Sequence, residues 1–242
     1  MNTEKRYIDV RGIPVEIDRK DIKNLHIGVY PPNGRVRAAT PLHLDDEAVR
    51  LAVVSRLSWI KKQQESFKYQ ERQSKREMIT GESHYFKGKR YRLDVVESDG
   101  KQGVKLINNK TMQIKVQPGT DRDKRLALLQ KWYRQQLRNV INELRPIWEQ
   151  KMEVEIAELK IKIMKTKWGS CNIEDQRIWL NLELAKKPVS CTEYILVHEM
   201  IHFFERHHTE RFRQLMEYYL PDWRLRKDEL NASPLAHEEW RY

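Results

Sequence analysis

Apolar and polar side chains alternate through the opening stretch of the chain, with Ile13, Val15 and Ile17, then Leu25, Ile27 and Val29, sharing one side. A period of two is the mark of half-buried strands. The turn Pro31-Pro32-Asn33-Gly34 follows, and Asn-Gly is a strong hairpin signal, with Val36 and Ala38 continuing the return strand. From Asp45, a plausible N-cap, to about Gln73 the period becomes helical, and Val49, Ala52, Val53, Leu57 and Ile60 fall on one face. The end of that helix, through Lys68 and Arg72 to Lys75, is polar on all sides. Strand patterning returns between His84 and Val116, punctuated by Gly88, Asp99-Gly100 and Asn108-Asn109.

Pro118 and Gly119 break that run, and Thr120 or Asp121 can cap a long helix carrying Leu126, Leu129, Trp132, Leu137, Val140, Ile141 and Leu144. Pro146 should kink or end it. Strands are expected over Lys160 to Thr166 and Arg177 to Leu182, and a further helix after Pro188, with Ser190 or Thr192 as its cap. Thr209 can start one more helix, and Pro221-Asp222 a short last one. No internal repeat is visible. The pattern predicts an α+β fold: a β-rich N-terminal region over residues 1–118 and a helix-rich catalytic region over residues 119–242, which can also form one continuous domain.

Composition adds a bias in charge. The 242 residues carry 46 Lys+Arg against 35 Asp+Glu, a net charge of +11, which favours anionic partners such as nucleic acid, nucleotides or acidic proteins. The bland alternative is a solvated basic surface, and Arg122, Lys124, Arg125, Lys131, Arg134 and Arg138 suit either a phosphate track or the outer face of an amphipathic helix. No signal peptide and no apolar stretch of membrane-spanning length is present, so a cytoplasmic protein with no membrane partner is expected. Cys171 and Cys191 are then reduced thiols, and Cys171 reads as a small buried residue rather than a nucleophile.

The chemistry lies in His198-Glu199-Met200-Ile201-His202, an HExxH run on the helix after Pro188. Residues four apart lie one helical turn apart on the same face, so two imidazoles can reach one ion. Zinc takes three protein ligands and keeps a position for water, whose pKa it lowers to about 7. Glu199 is placed to take that water's proton as general base. The third ligand is open between His207, His208 and a later acid such as Glu217 or Asp222. For His208 to return to the ion, the helix must end near Arg206, and Thr209 can cap the next one. Glu205 stands where the HExxHxxGxxH pattern has its glycine, so the turn cannot depend on glycine's access to positive φ.

Several motifs in order then resemble the YgjP-like metallopeptidases, zincins related in pattern to the SprT-like proteases. They are Lys165-Thr166-Lys167-Trp168-Gly169-Ser170-Cys171, Leu180-Asn181, His198 to His202, and His208-Thr209-Glu210-Arg211-Phe212. The similarity extends more loosely to Asn33-Gly34-Arg35-Val36, Trp59-Ile60 and Lys131-Trp132-Tyr133. It implies one zinc per chain held by His198, His202 and His208, although His207 replaces an asparagine common before the third histidine. It also implies a zincin-like catalytic half in which the HExxH helix lies beside a small antiparallel sheet, and a protein or peptide substrate.

Trp168 and Gly169 are candidate substrate-binding residues, or a tight turn plugged by an indole. Asn181 could bond substrate backbone or hold a turn. Tyr218 and Tyr219 are oxyanion candidates that helical spacing explains equally well as core. The strand Arg177 to Leu182 is the expected edge for an extended peptide. The leading reading is a zinc metallopeptidase. Its rivals are a zinc hydrolase of a phosphoanhydride, which lacks a phosphate-cradling glycine loop, and a nucleic-acid-associated module with local protease activity, which has only charge in its favour.

Overall fold

The alternation at Ile13–Ile17 and Ile27–Val29 builds a sheet whose inner face carries Val15, Ile17, Val36 and Ala38. The computed structural model describes residues 6–30, 33–69, 76–164 and 167–232, with side chains omitted at 66–69. Pro31 and Pro32, the polar tail at 70–75, and Lys165 and Thr166 lie outside them. The chain forms two compact units, one within Met1–Arg72 and one within Gln73–Glu238.

In the first unit, β1 (Arg6–Val10), β2 (Ile13–Lys20), β3 (His26–Tyr30) and β4 (Arg35–Pro41) lie in the order β1-β2-β4-β3. The pairings are antiparallel, parallel and antiparallel. Asp45 caps α1 (Asp46–Ser55) by accepting from the Ala48 amide at 2.8 Å, a bond that contributes about 1 kcal/mol. Val49 and Val53 of α1 and Ile60 of α2 (Leu57–Tyr69) close the core. The expected single helix from Asp45 is two. The Ser55 hydroxyl donates to the Ala52 carbonyl at 2.8 Å, so the Arg56 amide turns to Val53 instead, and the ladder restarts beyond it.

The second unit repeats this plan. β5 (Ser83–Phe86), β6 (Lys89–Glu97), β7 (Gly103–Leu106) and β8 (Thr111–Val116) lie in the order β5-β6-β8-β7 with the same sequence of pairings. Both sheets turn their first hairpin on two left-handed residues, Arg11-Gly12 (φ 53° and 80°) and Lys87-Gly88 (φ 47° and 77°). Both lead into a helix capped by an aspartate, Asp45 or Asp121. The repeat is one of topology and turn geometry, and the side chains that fill the two cores differ.

The boundary expected at residue 118 falls inside this second unit. Leu93, Met112, Ile114 and Val116 share one core with Leu129, Tyr133 and Leu137 of α3 (Arg122–Met152) and with Leu180 and Leu196 further on. Helix α3 continues past Pro146, so the proline does not end it. The missing amide leaves the Asn142 carbonyl without its helical partner, and both residues are exposed, so water can serve it. Glu153, left-handed at φ 54°, closes the helix through its amide.

The third sheet holds β9 (Glu158–Lys162), β10 (Gly169–Asn172) and β11 (Arg177–Asn181) in the order β10-β11-β9. It is mixed rather than antiparallel, because β9 pairs parallel with β11 while β10 pairs antiparallel. Strand β11, expected at the edge, is therefore central and paired on both sides, and β10 and β9 are the two edges. A 3-10 turn at Leu182–Lys186 leads into α4 (Val189–Ile201), followed by α5 (Glu210–Tyr219) and α6 (Trp223–Ala232). Pro188, not Ser190 or Thr192, stands at the N-cap of α4, with no side-chain bond. Its approach is braced by the β5–β6 turn, whose Lys87 and Gly88 amides donate to Ala185 and Lys186 carbonyls at 3.0 Å. A Cβ on Gly88 would lie 2.8 Å from Pro188. Among the described residues no helix is long and apolar enough to cross a membrane.

Candidate metal centre

Helix α4 is apolar nearly all round, with Ile195, Leu196, Val197, Met200 and Ile201 buried, as befits a helix at the centre of its unit. His198, Glu199 and His202 interrupt that apolar surface at its C-terminal end. The helix stops at Ile201, earlier than expected. The amides of Phe203, Phe204 and Glu205 fold back on Met200 and Ile201 carbonyls, and the chain reverses before Thr209. No residue from 202 to 209 has a positive φ, so Glu205 in the glycine position causes no strain. Thr209 caps α5 as expected, accepting from the Phe212 amide at 3.4 Å.

This reversal brings His208 to the two helix histidines. One ring nitrogen from each of His198, His202 and His208 lies within 4.8 Å of the others, and the His198 and His208 Nε2 atoms are 3.0 Å apart. Phe212 stands against all three rings, with centroids at 4.7–4.9 Å, which gives the phenylalanine of the last motif a packing role. The His202 Nδ1 lies 3.1 Å from the Glu205 carbonyl, which can only accept; the proton is therefore on Nδ1 and the Nε2 lone pair is free for a ligand. Burial, then the neighbouring His202, His208 and Lys227 charges, pushes His198 down to about 3. Burial likewise lowers His202 and His208, so the cluster offers neutral imidazole donors. His207 lies outside the cluster, as do Glu217 and Asp222, which pair with Arg224 and Arg226.

Glu199 is 6% exposed, and burial pushes its carboxyl up to about 8, against a lowering by the Lys167 charge. Gly169 of the edge strand β10 lies directly against it. A Cβ there would meet Glu199 Oε1 at 2.5 Å and its Cγ at 2.7 Å. Gly169→Ala should therefore leave fold and metal content intact, because only the flexible end of Glu199 must move. With Glu199 as a proton carrier, a shift of this order would cost roughly 10²-fold in kcat, as steady-state kinetics on metal-loaded protein would read. Unchanged kcat in the alanine variant would show that the contact does not position Glu199.

The histidines open on a cleft of about 1040 Å³ lined by Trp168, Gly169, Cys171, Ile173, Tyr194 and Lys227 among others. Trp168 and Gly169 are among its lining residues. Asn181 does not line it: the amide donates to the Met164 and Lys167 carbonyls at 2.7 and 2.8 Å and accepts from Glu183, which fixes the loop before β10. Tyr218 is 76% exposed, Tyr219 stacks on Phe204, and neither reaches the cleft. Tyr194 does. It precedes His198 by one helical turn, a spacing that could have revealed it. Lys227 and Asn231 of α6 carried no sequence signal, since only the packing of α6 on α4 delivers them. That packing rests on Glu193, which accepts from Trp148 Nε1 at 3.0 Å and pairs with Arg226. Cys171 and Cys191 are both unpaired, and burial, then the Glu199 charge, pushes the Cys171 thiol up to about 12. The α3 cations are partly engaged within the unit: Arg122 donates to the Arg76 carbonyl, Arg125 pairs with Glu97, and Arg134 bonds the Ile161 carbonyl.

An α+β unit whose central helix presents such a histidine cluster beside a buried glutamate has the donors to hold a metal ion next to an acid–base group. The model of the YgjP-like metallopeptidase domain matches residues 23–233, and the chain belongs to that family. Among solved structures, the metallopeptidase zymogen jannalysin of Methanocaldococcus jannaschii is similar over 39% of this chain and 95% of that chain, at 21% identity and a TM-score of 0.32. No curated protein matches significantly. Nothing in these comparisons supports a nucleic-acid partner.

Proposed function

We propose that the protein is a zinc peptidase that hydrolyses peptide bonds in the cleft, with one zinc per chain held by His198, His202 and His208. The convergence of three neutral imidazoles beside buried Glu199, within 4.8 Å of one another, carries this reading. Imidazole nitrogen is a donor zinc takes readily, and three protein ligands leave room for water or substrate. When bound, zinc would supply Lewis acidity toward the substrate carbonyl and the attacking water.

The rest falls to the chain's own residues. Glu199 accepts a proton from the attacking water and delivers it to the leaving nitrogen. Its high carboxyl pKa suits the second task, and a dication at the histidines favours the carboxylate needed for the first. The edge strand β10 offers its outer backbone groups to an extended peptide, and Trp168 and Gly169 line the approach. Tyr194, whose phenol burial raises to about 12, stays protonated and faces the cleft as a hydrogen-bond donor for a developing oxyanion. Two unpaired cysteines fit a reducing compartment such as the cytoplasm.

The test is hydrolysis by zinc-loaded protein of an unstructured polypeptide and of nucleoside triphosphates in parallel. Polypeptide cleavage that a chelator stops and zinc restores is the expected result. Phosphate release with the polypeptide left intact would replace the peptidase with the phosphoanhydride hydrolase.

A further inference from the structure

The charged side chains around the cleft are unbalanced. Lys167, Arg177, Arg206 and Lys227 line it against two carboxylates, Glu174 and Glu199. Arg177 is already neutralised, 2.8 Å from Asp175 and 3.8 Å from Glu158. Lys167, Arg206 and Lys227 form no ion pair among the described residues, although arginines elsewhere in the unit mostly find carboxylates or carbonyls. The three come from separate elements: the loop before β10, the reversal between α4 and α5, and helix α6. Their convergence is therefore a property of the fold and not of a charge run in the sequence.

We propose, resting on the peptidase reading, that the substrate is an acidic polypeptide segment, with carboxylate side chains flanking the scissile bond and meeting Lys167, Arg206 and Lys227. A cleft lined by one sign of charge focuses its field and concentrates the opposite charge, by 10-fold to 10³-fold in favourable cases. Charges at a rim act chiefly on capture and on salt dependence, which leaves hydrolysis itself to the histidines and Glu199. A peptide fits better than a nucleic acid. Trp168, Ile173 and Leu230 line the cleft together with the cations, and the edge strand β10 can pair with an extended backbone.

The zinc-loaded Glu199→Gln variant allows binding to be read without turnover. Fluorescence anisotropy would compare three labelled peptides of one apolar core flanked by Glu, Gln or Lys, and a single-stranded oligonucleotide, at low and high salt. The Glu-flanked peptide should bind at least about tenfold more tightly than the Gln-flanked one at low salt, with the Lys-flanked peptide weakest. High salt should compress these ratios. Adding Arg206→Glu and Lys227→Glu should reverse the order, with zinc content and circular dichroism showing an intact site. Equal affinities, an order that survives the charge reversals, or tighter binding of the oligonucleotide would each overturn the proposal. Wild-type protein that binds the acidic peptide selectively yet cuts none of the three would instead remove the peptidase reading and keep the binding preference.

Discussion

Glu199→Gln should lower kcat by about 10⁴-fold or more while leaving zinc content, fold and KM near those of the wild type. General acid–base assistance is worth roughly 10²–10⁴-fold, and this residue serves both attack and departure, which puts the loss at the upper end. The substitution is nearly isosteric, which suits a side chain packed against Gly169. Glutamine keeps the shape and can still hydrogen-bond water, but it cannot take a proton. It also removes a carboxyl that is costly to bury, so thermal stability should hold or rise slightly. An interaction needed only in the transition state lowers kcat and kcat/KM together. A variant that binds zinc, folds, and retains more than about a tenth of wild-type kcat would exclude Glu199 as the proton carrier.

His208→Ala should abolish tight zinc binding, and His207→Ala should leave it near normal. Losing a mere hydrogen-bond partner behind a metal ligand costs about 10–100-fold in affinity, so losing one of three ligands should cost more. The two neighbours differ sharply in place. His208 Nε2 lies 3.0 Å from His198 Nε2, and its ring packs on Phe212 at 4.7 Å. His207 lies outside the cluster, and its backbone amide reaches Glu205 Oε1 at 3.3 Å. Elemental analysis of the purified variants would read the difference directly. Equal zinc loss in both, or loss in His207→Ala alone, would reassign the third ligand.

The site was far more legible in the sequence than its surroundings. HExxH spacing puts His198 and His202 on one face beside Glu199 without tertiary information, because residues four apart lie about one helical turn apart. His208 needed the family motif, since its return depends on a chain reversal that no residue-level rule specifies. What remained hidden is what tertiary packing decides. Strand order was one such case: period-two alternation identifies Arg177–Asn181 as a strand, but only its pairing with both Glu158–Lys162 and Gly169–Asn172 makes it central and leaves those two as the edges. Asn181 was another, its side chain being consumed by carbonyls fourteen and seventeen residues away. Pro146 does not end α3, because the Asn142 carbonyl it abandons is exposed and water can serve it. The repeated four-stranded plan escaped notice because pairing order and turn handedness repeat where side chains do not.

The most direct measurement is mass spectrometry of an unstructured polypeptide digested in heavy-oxygen water by zinc-loaded protein, its chelated form and Glu199→Gln. A metal-dependent peptidase that uses water as nucleophile should generate new C-termini, each carrying one heavy oxygen, in the first sample only. Absence of new termini with zinc bound, or the same termini in all three samples, would contradict the assignment of this cleft as a zinc peptidase site served by Glu199.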